Sequence, residues 1–326
     1  MQHERAYKGG TKNPPRQRNS VMRRLLIATI ALLTLGTQPT KAGPFSFVAL
    51  GDMPYYTPAD YGRFERLIGR INQEKPAFSI HVGDIKAGST PCTDEAFREV
   101  RLRFETFSQP LFYTPSDNEW TDCHRTGFSA QERLTKIREI FFTEPRSLGR
   151  RTMPYGRQAD ESQHRQMVEN ATWTHESVRF ATVHVVGSNN GNQQKYPGAL
   201  VEFKPRDRAN KDWIAAVGER ARKENAKALI FAFHGDPWHK GSGNGFTRTV
   251  KALAKTAEKF GGPVLLINGD IHTFRVDHPL EKNDGKTLKN VTRLRVMGSP
   301  DLRAVKVTVD AEADTPFRFE VLSLTL

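Results

Sequence analysis

The chain has 326 residues and a formal net charge of +13. That length allows one large domain or two small ones. Two cysteines without a Cys-x-x-Cys pairing exclude a thiolate zinc site, and the apolar run from Leu25 to Leu35 is too short to span a bilayer.

Arg23-Arg24 precedes that run and Thr40-Lys41-Ala42 follows it, the layout of a signal peptide with a small-x-small cleavage site. Residues 1–42 are therefore expected to be a signal peptide with a basic N-terminal extension, and Met22 is an alternative start. The expected location is periplasmic or secreted. The competing reading is an uncleaved N-terminal anchor. Residues 1–42 hold eight Lys and Arg and one acid, so residues 43–326 would keep a net charge of +6. That balance suits a small anionic substrate or an envelope surface and does not require nucleic acid. In an exported chain Cys92 and Cys123 are expected to pair; two free thiols are the alternative.

From residue 43 onward apolar strand-like runs alternate with amphipathic helices, the pattern of a layered α/β fold. Phe45 to Leu50 reads as a buried strand. Residues 58–73 read as a helix with Tyr61, Phe64, Leu67, Ile68 and Ile71 on one face. A strand over 77–82 precedes a helix from Asp94 to Phe107, and Leu111 to Thr114 is a short strand. Ser129-x-x-Glu132 is a capping box that opens the next helix. Residues 143–170 have no clear period and read as a loop insertion that could border a site. A hairpin over 172–176 and 179–186, a helix over 207–224, a strand over 228–233, a helix over 246–260 and a strand over 263–268 follow. The tail, 291–296, 303–309 and 317–324, is all β.

Five of these strands stop at side chains that bind metals. They end at Gly51-Asp52, at Gly83-Asp84, at Asp117-Asn118-Glu119, at His234-Gly235-Asp236 and at Gly269-Asp270-Ile271-His272. Neighbouring strand ends converge on one edge of a sheet, where open α/β folds build their sites. Carboxylates crowded there would raise each other's pKa without a cation. Two divalent ions would neutralise them, activate a water and clamp the oxygens of an in-line displacement at phosphorus. Imidazole and oxygen donors without thiolate favour Mn, Fe or Zn. A lone His234 or His272 would read as a hydrogen-bonded core histidine; in five ordered blocks each reads as a ligand.

The five blocks, in this order and strand context, resemble the calcineurin-like metallophosphoesterase superfamily over residues 45 to about 275. The resemblance implies two packed mixed sheets flanked by helices, a four-layer α/β/β/α sandwich formed by residues 43–326. It implies two metal ions bridged by Asp84, the first also held by Asp52 and His272 and the second by Asn118 and His234. Asp270 stands where a second-metal histidine is usual. Two further histidines of the pattern are replaced, by Pro54 and by Glu119. Tyr55 or water would then serve the first metal. The leaving-group proton would come from Glu119, if its pKa were raised towards neutrality, or from His124 or His81.

The expected function is metal-dependent hydrolysis of phosphate mono- or diesters. One alternative is a protein of the same fold that binds a phosphorylated ligand without turnover; another is a basic protein that binds the envelope through its charge. Amides of Asn189 and Asn190, which follow an apolar strand, could hold phosphate oxygens, although Asn-Gly chemistry also makes a plain turn. Arg146, Arg150, Arg151 and Arg157 could steer an anion or form a solvated loop. Asp236 reads as a turn residue, and His81 as either a support for the centre or a satisfied core histidine.

Overall fold

A computed structural model describes residues 43–324 except residue 283. The expected signal peptide and its cleavage site lie outside the described residues. The twelve strands are β1 (Phe45–Leu50), β2 (Ser79–His81), β3 (Leu111–Tyr113), β4 (Gly156–Arg157), β5 (Ala171–His175), β6 (Val178–Thr182), β7 (Ala228–Ala232), β8 (Val264–Asn268), β9 (Arg275–Asp277), β10 (Val291–Arg295), β11 (Ala304–Val309) and β12 (Phe317–Leu322). They form a five-stranded sheet of order β12-β11-β1-β2-β3 and a seven-stranded sheet of order β4-β5-β6-β7-β8-β10-β9.

Both sheets are mixed. β1, β2 and β3 run parallel, as do β6, β7, β8 and β10, while β11, β12 and the hairpin β5–β6 pair antiparallel. The parallel strands of each sheet therefore deliver their C-terminal ends to one edge. Strand alternation divides the apolar residues between layers. Phe47 and Ala49 point between the sheets and pack with Phe78, Ile80, Phe180 and Ile230. Val48 and Leu50, from the same strand, face the helices Tyr61–Glu74 and Asp94–Phe104 through Phe64, Leu67, Phe97 and Phe104. On the far side, Leu229, Phe231 and Leu266 meet Trp213, Ile214 and Leu253 of the helices Ala199–Lys223 and Thr247–Phe260. This is the α/β/β/α arrangement expected from the sequence.

Local departures have local causes. The first helix begins at Tyr61 rather than at 58, because the Asp60 carboxylate turns back to accept the backbone N–H groups of Tyr55 and Tyr56. The helix expected over 207–224 starts at Ala199 and carries Pro205 inside it. Proline leaves the carbonyl of Val201 without its helical donor, and Val201 is 80% exposed, so water can take that place. Ser129 caps its helix as expected, accepting from the Glu132 N–H.

The segment 143–170 is not one loop. It holds the short strand β4 and a helical turn at Gln158–Glu161. Arg150 and Arg151 lie near the N-terminal end of β3, away from the strand ends that carry the metal-binding types. Leu148 pairs with Leu111 at the start of β3, Arg150 donates its backbone N–H to Phe107, and Arg151 bonds Gln109. Arg146 pairs with Glu144, and Arg157 with Asp160. Two of the four arginines therefore stand away from those ends, which corrects the reading of the cluster as one steering patch.

Cys92 and Cys123 are joined, with Cα atoms 5.8 Å apart and a sequence separation of 31. The bridge fastens the turn after Asn118 to the segment after Asp84. On the chain-entropy account, we expect the Cys92→Ser, Cys123→Ser double variant to lose roughly 2–4 kcal/mol of stability. Urea unfolding checks this, and an unchanged midpoint would contradict it.

Candidate metal centre

Asp52, Asp84 and Asp117 follow β1, β2 and β3, and His234, Asp270 and His272 follow β7 and β8. The Asp52 N–H donates to Gly83 within the first sheet and the Gly269 N–H to His234 within the second, and the Asp270 N–H crosses between the sheets to Asp52 Oδ1 at 2.9 Å. Asp52, Asp84, Asp270 and His272 have φ values of 55°, 58°, 77° and 57°. Left-handed backbone at non-glycine residues costs about 1–2 kcal/mol each, and such strain clusters at functional sites.

Two sets of side chains could each hold an ion. Asp52, Asp84 and His272 form one, and Asp84, Asp117 and His234 the other. Asp84 belongs to both, as the bridging role requires. His234 Nδ1 meets the Val82 carbonyl at 2.8 Å and His272 Nδ1 meets the Ser299 carbonyl at 2.7 Å. A backbone carbonyl can only accept, so each ring carries its proton on Nδ1 and turns Nε2 towards the carboxylates. His234 Nε2 lies 3.2 Å from Asp117 and 3.5 Å from Asp84; His272 Nε2 lies 3.5 Å from Asp52. That is how ligating histidines are held. Asp52 Oδ2, Asp117 Oδ1 and His234 Nε2 are buried without hydrogen-bond partners. Buried polar atoms are normally paired, so these three fit a pair of cations.

The electrostatics agree. Burial raises the carboxyls of Asp52 and Asp84, Asp84 strongly, against the pull of His234. Burial also lifts Asp270 to about 6. Burial alone would lower His234, but Asp84, Asp117 and Asp52 outweigh it and hold the ring well above the usual histidine range. Burial would raise Asp117 too, but the imidazole of His234 beside it brings it down to about 2. Without metal, a protonated His234 is the cation of this cluster.

Asp117 is the member of the second set that motif reading passed over. Ser188 Oγ donates to it at 2.8 Å, and a Cβ on Gly187 would stand 2.6–2.7 Å from Asp117 and Asp270 oxygens. The Gly187-Ser188 backbone thus lies directly against the second set. Asn118 donates Nδ2 to Asp84 Oδ2 at 2.8 Å. Asp270 keeps Oδ1 at 3.8 Å from His234 and accepts the Asp236 N–H on Oδ2. Tyr55 follows Pro54, the residue at the pattern's histidine position. Its hydroxyl is 3.4 Å from Asn118 Nδ2 and its ring packs edge-on against His272. Burial and the Asp84 charge push the phenol up to about 12.

Other expected roles are corrected. Glu119 is fully buried and turned away from the centre. It accepts from Tyr113 Oη at 3.0 Å and from the Ile85 N–H, and it shares Ser116 Oγ with Asp84. It braces Asp84 from behind and has no open path to a leaving group. His81 uses Nε2 on the Met53 carbonyl and Nδ1 on the Gly83 N–H; burial holds it down at about 3, so it is neutral. His124 bonds the Thr121 carbonyl through Nδ1 and packs on Tyr196, lining a separate cavity of about 270 Å³ with Trp120 and Phe128. Asn189 and Asn190 do not offer free amides. Asn189 is bound to Gly245 and Asn192, and Asn190 to Gly245, Val186 and Arg206. Asp236 is more than a turn residue, since it is buried and accepts from Arg293 at 2.8 Å and Arg295 at 2.7 Å.

No protein-family model and no curated protein matches the chain. Solved structures do. A dimetal phosphatase from Danio rerio is 11% identical, with 86% of this chain and 99% of that one covered and a TM-score of 0.53. A purple acid phosphatase from yellow lupin (Lupinus luteus) seeds is 14% identical, with 88% of this chain and 55% of that one covered and a TM-score of 0.50. The fold is that of the metallophosphoesterases. The centre described above lies at the strand ends of that fold.

Two predictions follow from the charges. In metal-free protein Asp270 stays protonated up to about pH 6, whereas in the unfolded chain it ionises near 4. The stability it contributes is therefore lost as pH rises through about 6, and metal binding must displace that proton and the one on His234. We expect the rise in melting temperature on adding Mn or Zn to be small at pH 5 and to grow towards pH 8; a pH-independent rise would contradict this. Asp236→Ala leaves two buried guanidinium groups without their shared acceptor, and we expect a loss of about 3–5 kcal/mol by denaturant titration.

Proposed function

We propose that the chain is an exported metallophosphoesterase that hydrolyses a small phosphate ester with two divalent ions of the Mn, Fe or Zn type. One observation carries this reading. Two histidines, each with Nδ1–H held by a backbone carbonyl, aim Nε2 at carboxylates that share Asp84. Asp52, Asp84 and His272 would hold one ion, with Tyr55 beside it. Asp84, Asp117 and His234 would hold the other, with Asn118 and Asp270 beside it. Divalent ions supply Lewis acidity towards phosphoryl oxygens and a nucleophile from water.

The protein's own part is position and charge. The carbonyls of Val82 and Ser299 orient the two rings, and Ser188 and the Gly187 backbone fix Asp117. Glu119, Ser116 and Tyr113 fix the residue shared by both ions. Glu119 is turned inward and His124 lies in another cavity, so neither residue expected to protonate a departing alkoxide stands at the centre. Esters with good leaving groups are the favoured substrates on this reading. Export is supported by the disulfide, and among the described residues no helix is long and apolar enough to cross a membrane.

The inward turn of Glu119 also favours a second reading, in which the centre binds a phosphorylated ligand without cleaving it. Metal analysis of the purified chain, followed by assays with p-nitrophenyl phosphate and bis-p-nitrophenyl phosphate with and without chelator, separates the two. We expect turnover that chelator abolishes and that Asp84→Asn lowers by at least about a hundredfold, a typical loss for a group that stabilises the transition state directly. Binding without turnover under any metal would select the second reading. A chain that retains no divalent ion, and whose melting Asp84→Asn leaves insensitive to metal just as in the parent, would sink both.

A further inference from the structure

Beside the Asn118 corner of the centre stands an arginine that neither the motif pattern nor the ligand sets use. Arg125 lies in the 3-10 turn Thr121–Thr126, next to the bridged Cys123. Its Nη2 pairs with Asp122 Oδ2 at 2.6 Å; the arginine side chain is 50% exposed and the aspartate side chain 1%. Asp122 is anchored in turn, because the Ser188 hydroxyl reaches it at 2.9 Å and 3.1 Å and also reaches Asp117 at 2.8 Å. One hydroxyl therefore links the aspartate that holds Arg125 to a carboxylate of the second ion set.

The other end of the guanidinium faces the centre. A Cβ on Gly88 would stand 2.6 Å from Arg125 Nη1 and 2.7 Å from Asn118 Oδ1. The absent side chain of Gly88 leaves room in which Nη1 and the Asn118 amide come to the same point. A half-exposed guanidinium fixed at one nitrogen by a buried carboxylate is pre-organised, and its fork matches the oxygens of a phosphate group.

We propose that Arg125 is the anion-binding arm of this centre, receiving the free oxygens of a terminal, dianionic phosphate seated beside Asn118. The substrate class is then a phosphomonoester. A diester has one negative charge and only two free oxygens, which the ions themselves would engage, whereas a monoester leaves a third for Arg125. This rests on the metallophosphoesterase reading and narrows it.

The test measures inorganic phosphate binding to the metal-loaded chain by calorimetry, for the parent, Arg125→Gln and Arg125→Lys, with melting curves as a control. Loss of a charge-assisted hydrogen bond should weaken phosphate binding roughly tenfold to a hundredfold in Arg125→Gln. Arg125→Lys, which keeps the charge and the pairing with Asp122 but not the fork, should fall between. Parent-like affinity in the glutamine variant, or in the lysine variant should the glutamine variant not fold, overturns the proposal. In turnover, Arg125→Gln should lower kcat/KM for p-nitrophenyl phosphate by more than for bis-p-nitrophenyl phosphate; equal losses would overturn the selection for a dianion. A parent chain that binds no phosphate with metal present would instead bring down the phosphoesterase reading beneath it, a result distinct from failure of Arg125 alone.

Discussion

Asp84 lies within ligand distance of both histidine-carboxylate sets, and the molecule is organised around the cost of that position. It is buried, its carboxyl is driven up by burial and by Asp117, Asp52 and Glu119, and its main counter-charge is His234. A buried ionisable group without compensation is expensive. The fold meets the cost by bringing the parallel ends of two sheets to one edge, so that Asp52, Asp84 and Asp117 come from the first sheet and Asp270 and the imidazoles from the second. Neither sheet alone could build the centre. The hydrogen bond from Asp270 N–H to Asp52 Oδ1 joins the two halves at that edge.

Behind the ligands lie polar networks that hold them against mutual repulsion. Arg293 and Arg295 grip Asp236, whose N–H in turn fixes Asp270. On the other side, Ser116 and Glu119 back Asp84, and Tyr113 backs Glu119. A third network runs from Arg138 through Glu169 and His184 to the indole of Trp120, two residues beyond Asn118. Glu169 is fully buried, and although burial would raise it, Arg138 and His184 hold its carboxyl well below the ordinary carboxylate range. The strained φ values at Asp52, Asp84, Asp270 and His272 persist because these networks over-determine the backbone around them.

The layers, the sheet ends and most residues of the two side-chain sets were readable because each rests on a local pattern. Alternation in Phe45–Leu50 assigns two faces, and a strand that stops at Gly-Asp marks an edge. What was not readable depends on the directions of side chains across the fold. Asp117 and Glu119 flank Asn118 in one turn, and sequence cannot say which of them points to the metals. The structure turns Asp117, for which the sequence suggested no role, inward to His234, and turns Glu119, expected to face a leaving group, behind Asp84. Asn189 and Asn190 looked available because nothing nearby in sequence binds them; their partners at Gly245 and Arg206 are distant in the chain. Asp236 looked like a turn residue because Arg293 and Arg295 lie almost sixty residues away.

Three positions where the family pattern has histidine carry Pro54, Glu119 and Asp270, and the surroundings of each are remade accordingly. After Pro54 the chain brings up Tyr55, whose ring rests on His272 and whose hydroxyl reaches the Asn118 amide. In place of the imidazole that would have followed Asn118, an acid is buried and serves to brace Asp84. Asp270 adds an anionic oxygen beside His234, and the Gly187 backbone presses against it and Asp117. Each exchange removes a neutral donor or adds a negative charge. The donor set is therefore richer in oxygen than the pattern it resembles, and no imidazole follows Asn118. Those two consequences have one origin in the sequence.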